Sequence, residues 1–383
     1  MRIAVVGPAH PYKGGVAQYT TALAHELARA GHQVRLESWS HQYPRLLYPG
    51  QLTVREPELP VYPGTARALS WRRPDSWYRL GRRLRGHDLV VLVVVTPVQM
   101  PAYRGILAGL GRDRRTRVVA ECHNVLPHER RAVDVRLMRG VLSRVDGVLA
   151  HSAAQGEIAR GLTDRPVAVR HMAPLLVATA SRSSVDAAVG SAGPGEPHHR
   201  LLFFGLVRPY KGLDVLLRAL AAEPEGVPEQ VRLRVAGEFW GGPEPTQALV
   251  AELGLADRVE LRPGYVDSAD VPGLFVDVDA LVLPYRTATA SLNTFLAFEH
   301  GVPVIATRVG TAAADVRDGV DGVLCEPDDV TSLATALRRF YAEAMPAKLR
   351  AGVPPVDPAP EWAGYLDALL TVGGTAGRRA ARQ

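Results

Sequence analysis

Apolar residues along this chain come in short runs separated by amphipathic stretches. The first run, Ile3–Val6 within Arg2–Gly7, reads as a buried parallel strand, because a strand covered on both faces needs apolar side chains at successive positions. A loop, Pro8–Gly15, follows. Residues 16–30 then place Leu23, Leu27 and several alanines at helical spacing, and Gly31 closes the helix. Gln33–Glu37 is expected to be the next strand. Asp88–Thr96 gives the strongest strand signal, and Arg117–Glu121, Gly147–His151 and Val167–Arg170 continue the series with helical stretches between them. Residues 174–199 break the pattern: they are rich in Ala, Ser, Gly and Pro, have no period, and read as a linker. The alternation then restarts. Strands are expected at Arg200–Phe204, Arg232–Ala236, Val259–Leu261, Ala280–Pro284 and Val302–Thr307. Helices are expected at Leu213–Ala221, Phe295–His300, Val330–Phe340 (capped by Asp328 or Asp329) and Trp362–Leu370.

Strands alternating with helices predict parallel sheets covered on both sides. The expected fold class is therefore α/β, with two consecutive Rossmann-like, doubly wound domains. Their expected bounds are 1–173 and 200–355, with the linker at 174–199, a C-terminal helix at 356–372 crossing back to the first domain, and a frayed basic tail at 373–383. Ligands of such sheets bind beyond the carboxyl ends of the strands, so two facing domains are expected to present two sites across one cleft.

Residues 39–87 fit this scheme least and read as irregular, rich in Tyr, Pro, Trp and Arg. Within them Trp77, Leu80, Gly81 and Leu84 form a helical stripe, with Arg79, Arg82, Arg83 and Arg85 mainly on the other side. Such a helix suits either an anionic membrane surface or a solvated face over the core, and the sequence leaves both open.

The chain has 383 residues, 47% of them hydrophobic and 22% charged, which suits a two-domain globular protein. A net charge of +6 fits an anionic ligand, nucleic acid or an anionic membrane without choosing among them. No helix-turn-helix or aromatic-basic RNA motif is present, so nucleic acid is not an expected partner. The only cysteines, Cys122 and Cys325, sit in apolar surroundings and read as buried free thiols; no metal site is expected. The first apolar run is too short for a signal peptide and Leu89–Val95 too short for a membrane span, so a cytoplasmic location is expected, with peripheral membrane contact open.

The chemistry concentrates in Gly205-Leu-Val-Arg208-Pro-Tyr-Lys211-Gly212, between a predicted strand and a predicted helix. Glycine lets backbone turn tightly and approach a ligand, the helix start favours an anion, and Arg208 and Lys211 add two positive charges. This combination suits a diphosphate.

The segment resembles the donor-diphosphate motif of group 1 (family 4) glycosyltransferases, a retaining family with the GT-B fold. Further resemblance follows in order through Ala236-Gly237-Glu238-Phe239, Pro263-Gly264-Tyr265-Val266, Val282-Leu-Pro-Tyr-Arg286 and Gly301–Gly310. In the first half it is carried by Gly14-Gly15-Val16 and by Cys122-His123-Asn124 through Glu129. The resemblance implies a sugar-nucleotide donor as cosubstrate, UDP or GDP, with no cofactor and no metal. Arg208 and Lys211 would hold the diphosphate and stabilise charge on the leaving nucleotide, near Gly205, Gly237 and Glu238. Tyr265 and Val266 would flank the base, and Ser291, Leu292, Asn293 and Thr294 would offer backbone N–H groups. Gly14 and Gly15 would let a loop approach donor and acceptor, and His123 would bind the donor sugar.

One departure stands out. The family carries two glutamates separated by seven residues before the segment matching Gly301-Val-Pro-Val, and this chain has Ala288 and Leu296 there. A subset of the family with a segment similar to Pro284–Ser291 lacks the pair. Glu299, one helical turn beyond Leu296, is the candidate replacement. Asp277-Val-Asp279 is not expected to bind metal, because it lies on the approach to a buried strand. The leading expectation is thus a glycosyltransferase acting on a hydroxyl acceptor: polysaccharide, lipid carrier or small natural product. A sugar-nucleotide epimerase and a catalytically degenerate sugar-binding or partner-binding subunit are the alternatives.

Overall fold

The computed structural model describes residues 1–42, 53–54, 57, 59–111, 115–127, 132–175, 198–222, 226–288 and 292–374. Most of the expected linker, the end of the tail, Ser291, and the segment from His128 to Glu129 lie outside these residues. The chain forms two compact units, Met1–Leu175 with Pro358–Gln383, and Leu176–Asp357.

In the first unit the described strands are β1 (Arg2–Val6), β2 (Gln33–His41), β3 (Thr65–Ser70), β4 (Leu89–Val94), β5 (Arg117–Cys122), β6 (Gly147–Ala150) and β7 (Val167–Val169). They make one sheet in the order β3-β2-β1-β4-β5-β6-β7, every pair parallel. All six residues of β4 are buried, as the unbroken Leu-Val-Val-Leu-Val-Val run requires of a central strand with helices on both sides. Its helices are α1 (Gly15–Arg29), α2 (Pro74–Arg83), α3 (Met100–Leu110), α4 (Ala132–Leu142) and α5 (Ala153–Arg160).

The second unit places β8 (Arg200–Phe204), β9 (Arg232–Gly237), β10 (Val259–Pro263), β11 (Ala280–Leu283), β12 (Val304–Thr307) and β13 (Gly322–Cys325) in the parallel order β10-β9-β8-β11-β12-β13. Successive residues of β8 serve opposite faces: Leu201 and Phe203 join one apolar cluster and Leu202 the other. The helices here are α6 (Leu213–Ala221), α7 (Glu244–Glu252), α8 (Val271–Phe275), α9 (Asn293–Glu299), α10 (Ala312–Asp315), α11 (Val330–Phe340) and α12 (Met345–Gly352). Asp329, not Asp328, caps α11, its carboxylate accepting the Ser332 N–H at 2.9 Å. The last helix, α13 (Pro358–Val372), is part of the first unit and packs on β5, β6 and β7.

Several elements differ from the sequence reading, which contains neither β13 nor the helices α7, α8, α10 and α12. β2 runs on to His41, and β3 lies within the stretch read as irregular. β3 is an edge strand whose register with β2 shifts twice, between Glu37 and Trp39 and between Trp39 and His41, and its Thr-Ala-Arg-Ala-Leu-Ser sequence lacks a continuous apolar run. The stripe at 77–84 is the helix α2, with Leu80 and Leu84 in the core and Trp77 packed against it. No helix among the described residues is long and apolar enough to cross a membrane.

Candidate functional site

In the second unit strand order reverses at β8, whose neighbours β9 and β11 leave in opposite directions. The loop after β8 carries Gly205, Arg208 and Lys211 at that switch point, outside the carboxyl ends of the strands. Its shape is set by close backbone contacts. The Gly205 N–H donates to Ala236 O at 3.0 Å and the Val207 N–H to Glu238 O at 2.8 Å, tying the loop to the end of β9. At Gly237 (φ 143°) any Cβ would overlap Gly205 O, so the two segments pass this closely only because residue 237 is glycine. The Gly264 N–H donates to Gly237 O at 3.0 Å, which brings the turn bearing Tyr265 and Val266 alongside. After a short 3-10 turn, Pro209–Lys211, Gly212 adopts a left-handed conformation (φ 65°) and starts α6.

The two cations are held by aromatic rings. The Arg208 guanidinium lies 4.7 Å from the Trp240 ring centre and 5.9 Å from that of Tyr210. Lys211 Nζ lies 5.4 Å from the Tyr285 ring centre. Among the described residues neither cation forms a salt bridge. Arg286, by contrast, is saturated. It donates to both carboxylate oxygens of Asp214 (2.8 and 2.7 Å), to Asp328 (2.7 Å) and to Pro209 O (2.7 Å), and its own N–H donates to Tyr210 O at 2.8 Å. The structure thus neutralises the arginine that braces the loop and leaves positive charge on the two that the loop presents.

Asn293 at the start of α9 donates to Phe204 O (3.1 Å) and to the Tyr285 hydroxyl (3.3 Å), which joins Leu292, Asn293 and Thr294 to the same end of the sheet. Thr294 is fully buried. Ser291 is outside the described residues. Ala288 and Leu296, where the resembling family has glutamates, pack against the apolar cluster that contains Leu283, Tyr285 and Ala297. Glu299 is the last, half-buried residue of α9. Asp279 lies at the other end of the sheet and accepts the N–H groups of His198 (2.7 Å) and Arg200 (3.0 Å), while Asp277 pairs with Arg200 and Arg234. Those carboxylates brace the fold, as their place before β11 implies.

In the first unit Gly14 (φ 95°) stands at the N-terminus of α1, and Gly15 is its first residue. One turn on, the fully buried Tyr19 meets the His123 ring edge-on, centres 5.6 Å apart, so glycine loop and histidine share one end of the sheet. His123 follows β5 and is 8% exposed. Sequence reasoning missed what surrounds it. Glu121 Oε1 lies 3.2 Å from His123 Nε2 and 3.0 Å from His151 Nε2, and accepts the Tyr365 hydroxyl at 2.8 Å. The Tyr365 hydroxyl is also 3.0 Å from His151 Nε2. Burial alone would raise the Glu121 carboxyl, but the two imidazoles hold it below the usual carboxylate range, so it is ionised; burial lowers His151 and keeps it neutral. The ligand atoms of Glu121, His123 and His151 lie within 4.8 Å of one another, close enough for one cation. Tyr365 already donates into the carboxylate oxygen they share, however, so the cluster as built is a hydrogen-bonded one. Strand alternation puts residues 121 and 123 on one face, but the approach of His151 and Tyr365 depends on topology.

Comparison with known proteins agrees with this geometry. The family model for Glycosyl transferases group 1 matches residues 198–343, and that for Glycosyltransferase Family 4 matches residues 13–171. The D-inositol 3-phosphate glycosyltransferase of Streptomyces scabiei (strain 87.22) is 32% identical over 223 residues, 55% of this chain and 50% of that protein. Its counterpart in Streptomyces coelicolor is 36% identical over 147 residues, 36% of this chain and 32% of that one. The chain therefore spans half or less of these curated relatives. Among solved structures, sucrose-phosphate synthase from Thermosynechococcus elongatus superposes with a TM-score of 0.71 at 17% identity over 100% of both chains. Anabaena HepE in complex with UDP and glucose gives 0.71 at 17%, over 97% of this chain and 100% of that one. These likenesses identify the fold as GT-B. With both halves matched, the chain belongs to the group 1, family 4 glycosyltransferases.

Proposed function

We propose that the protein is a retaining glycosyltransferase that moves a sugar from a nucleotide diphosphate to a hydroxyl acceptor. The observation that carries this reading is the pair of cations, Arg208 and Lys211, held by aromatic rings and not by carboxylates at the switch point of the second unit's sheet. Prepositioned positive charge there stabilises the charge that develops on a departing diphosphate. The backbone around Gly205, Gly237 and Asn293 can approach the phosphates, and Tyr265 and Val266 flank the base. UDP is the favoured nucleotide, since HepE, of the same fold, was solved with UDP and with UDP-glucose. GDP is the second choice.

His123, with Gly14 and Gly15 nearby, meets the sugar. Glu121, the ionised carboxylate beside His123, is fully buried and already accepts the Tyr365 hydroxyl, which places it poorly for covalent attack. Same-face displacement, in which the departing phosphate oxygen helps take the acceptor proton, therefore fits better than a double displacement, and arginine and lysine do the work a metal would otherwise do. The exposed face of α2, which carries Tyr78 and arginines of which Arg79 and Arg83 are partly offset by Asp75 and Glu37, with exposed Trp71 just ahead of it, supports acceptors presented at an anionic membrane on the cytoplasmic side. The deciding experiment incubates the protein with nucleotide-sugars, with and without candidate acceptors, and follows nucleotide release and product anomeric configuration. Retained configuration with acceptor-dependent release is expected. Conversion of a UDP-sugar without acceptor would indicate an epimerase, and a covalent glycosyl-enzyme would exclude same-face displacement.

A further inference from the structure

We propose that Glu121 is a positioning residue that fixes a proton on His123 Nε2 and so dedicates Nδ1 to the ligand, with His151 and the α13 residue Tyr365 holding the carboxylate in place.

The side chain of Glu121 is 1% exposed and that of His123 6%, so their separation of 3.2 Å is a contact without solvent. A buried carboxylate is costly unless hydrogen bonds or positive charge compensate it. Tyr365 supplies one hydrogen bond to Oε1. His151 Nε2 stands 3.0 Å from both the Tyr365 hydroxyl and Glu121 Oε1, which requires its proton on Nε2 as well. Because an ionised carboxylate is acceptor-only, the ring nitrogen turned toward it must carry hydrogen. For His123 that nitrogen is Nε2, which is enclosed by the protein and, at its present angle, makes no hydrogen bond to Glu121 or to any other described group. The N–H lies off the ideal line, so the partner selects the proton's location more than it clamps the ring. Clamping comes from the Tyr19 ring edge at 5.6 Å and the His151 ring, perpendicular at 4.8 Å. Tyr19 is fixed in turn: its hydroxyl accepts the Ala173 N–H at 3.0 Å, and its ring stacks on Trp362 of α13 at 5.1 Å. Thus α13, more than 230 residues on in sequence, supplies two of the side chains that set this histidine.

The inference rests on the proposed function only for the statement that the free nitrogen meets a donor. Its test is spectroscopic. Full-length protein labelled with 15N-histidine is examined by long-range 1H–15N correlation, with His123 assigned by loss of its signals in His123→Gln. The expected wild-type pattern has hydrogen on Nε2, whether the ring is neutral or charged; an unprotonated Nε2 overturns the proposal without recourse to a variant. In Glu121→Gln, whose amide can donate or accept, the single pattern should give way to a mixture of tautomers, and an unchanged pattern would also overturn it. If wild type transfers sugar, Glu121→Gln should lower kcat by roughly tenfold, as for other partners that orient a functional histidine. A protonated Nε2 in a protein that transfers no sugar would sink the proposed function and leave this inference standing. Sugar transfer by a protein with Nε2 unprotonated would do the reverse.

Discussion

Arg286 grips Asp214 through both carboxylate oxygens, at 2.8 and 2.7 Å, and with the same guanidinium reaches Pro209 O at 2.7 Å. Asp214 begins α6 and Pro209 precedes Lys211, so one side chain spans the loop that presents the two cations. Arg286→Ala should cost about 1–3 kcal/mol in urea unfolding, the range for charged, partly exposed hydrogen bonds. Arg286→Lys should recover little of it, because a point donor cannot replace the two-pronged fork. Nucleotide affinity should fall in both variants although neither removes Arg208 or Lys211.

The same pair predicts a pH dependence. The hydrogen bond from Arg286 holds the Asp214 carboxyl below its ordinary value of 3.8. A depressed carboxylate stabilises the fold fully above its unfolded value and loses that contribution as pH falls through its folded value. The stability difference between wild type and Asp214→Asn should therefore be constant from neutral pH down to about 5 and shrink below about 4. A difference that grew on acidification would contradict the sign.

Gly212→Ala places a side chain at φ 65° and drives its Cβ into Pro284 O, a backbone atom with no room to yield. The expected cost is at least about 2 kcal/mol in thermal or urea unfolding, and Lys211 should be displaced along with the turn. Gly264→Ala, where a Cβ meets nothing within 4 Å although φ is 134°, should cost less.

Both thiols should be silent in the native state. Burial pushes Cys325 up to about 12 and raises Cys122 strongly beside Glu121. Native protein at pH 8 should show neither thiol reacting with a disulfide reagent within minutes, and two should react in denaturant.

What the sequence made legible was whatever local pattern determines. The run Leu89–Val94 announces a central strand because nothing but a doubly covered position accepts it. Gly205 and Gly212 announce a tight strand-to-helix turn, since both take positive φ, and Arg208 and Lys211 lie within it. Three other features depend on contacts across the sheet. β3 is a short-range blank because an edge strand with a shifting register needs no regular alternation. Arg286 ends the Val282–Arg286 segment, but its partner Asp214 is 72 residues away in sequence. Glu121 reads as one more strand residue until topology sets His151 beside it and α13 brings Tyr365 across. Ala288 and Leu296 read as departures in the sequence, and the structure shows both packed against an apolar cluster.

The most direct measurement of the central claim is thermal unfolding with UDP, GDP, ADP, TDP and CMP in parallel, on wild type and on the Arg208→Ala, Lys211→Ala double variant. A nucleotide at about 100 times its dissociation constant adds roughly 2.7 kcal/mol of stability, a shift of a few degrees for a chain of this size. The account predicts such a shift with a nucleoside diphosphate, UDP first, and its loss in a double variant that unfolds as cooperatively as wild type. No shift with any nucleotide, or a shift that survives removal of both cations, would contradict it.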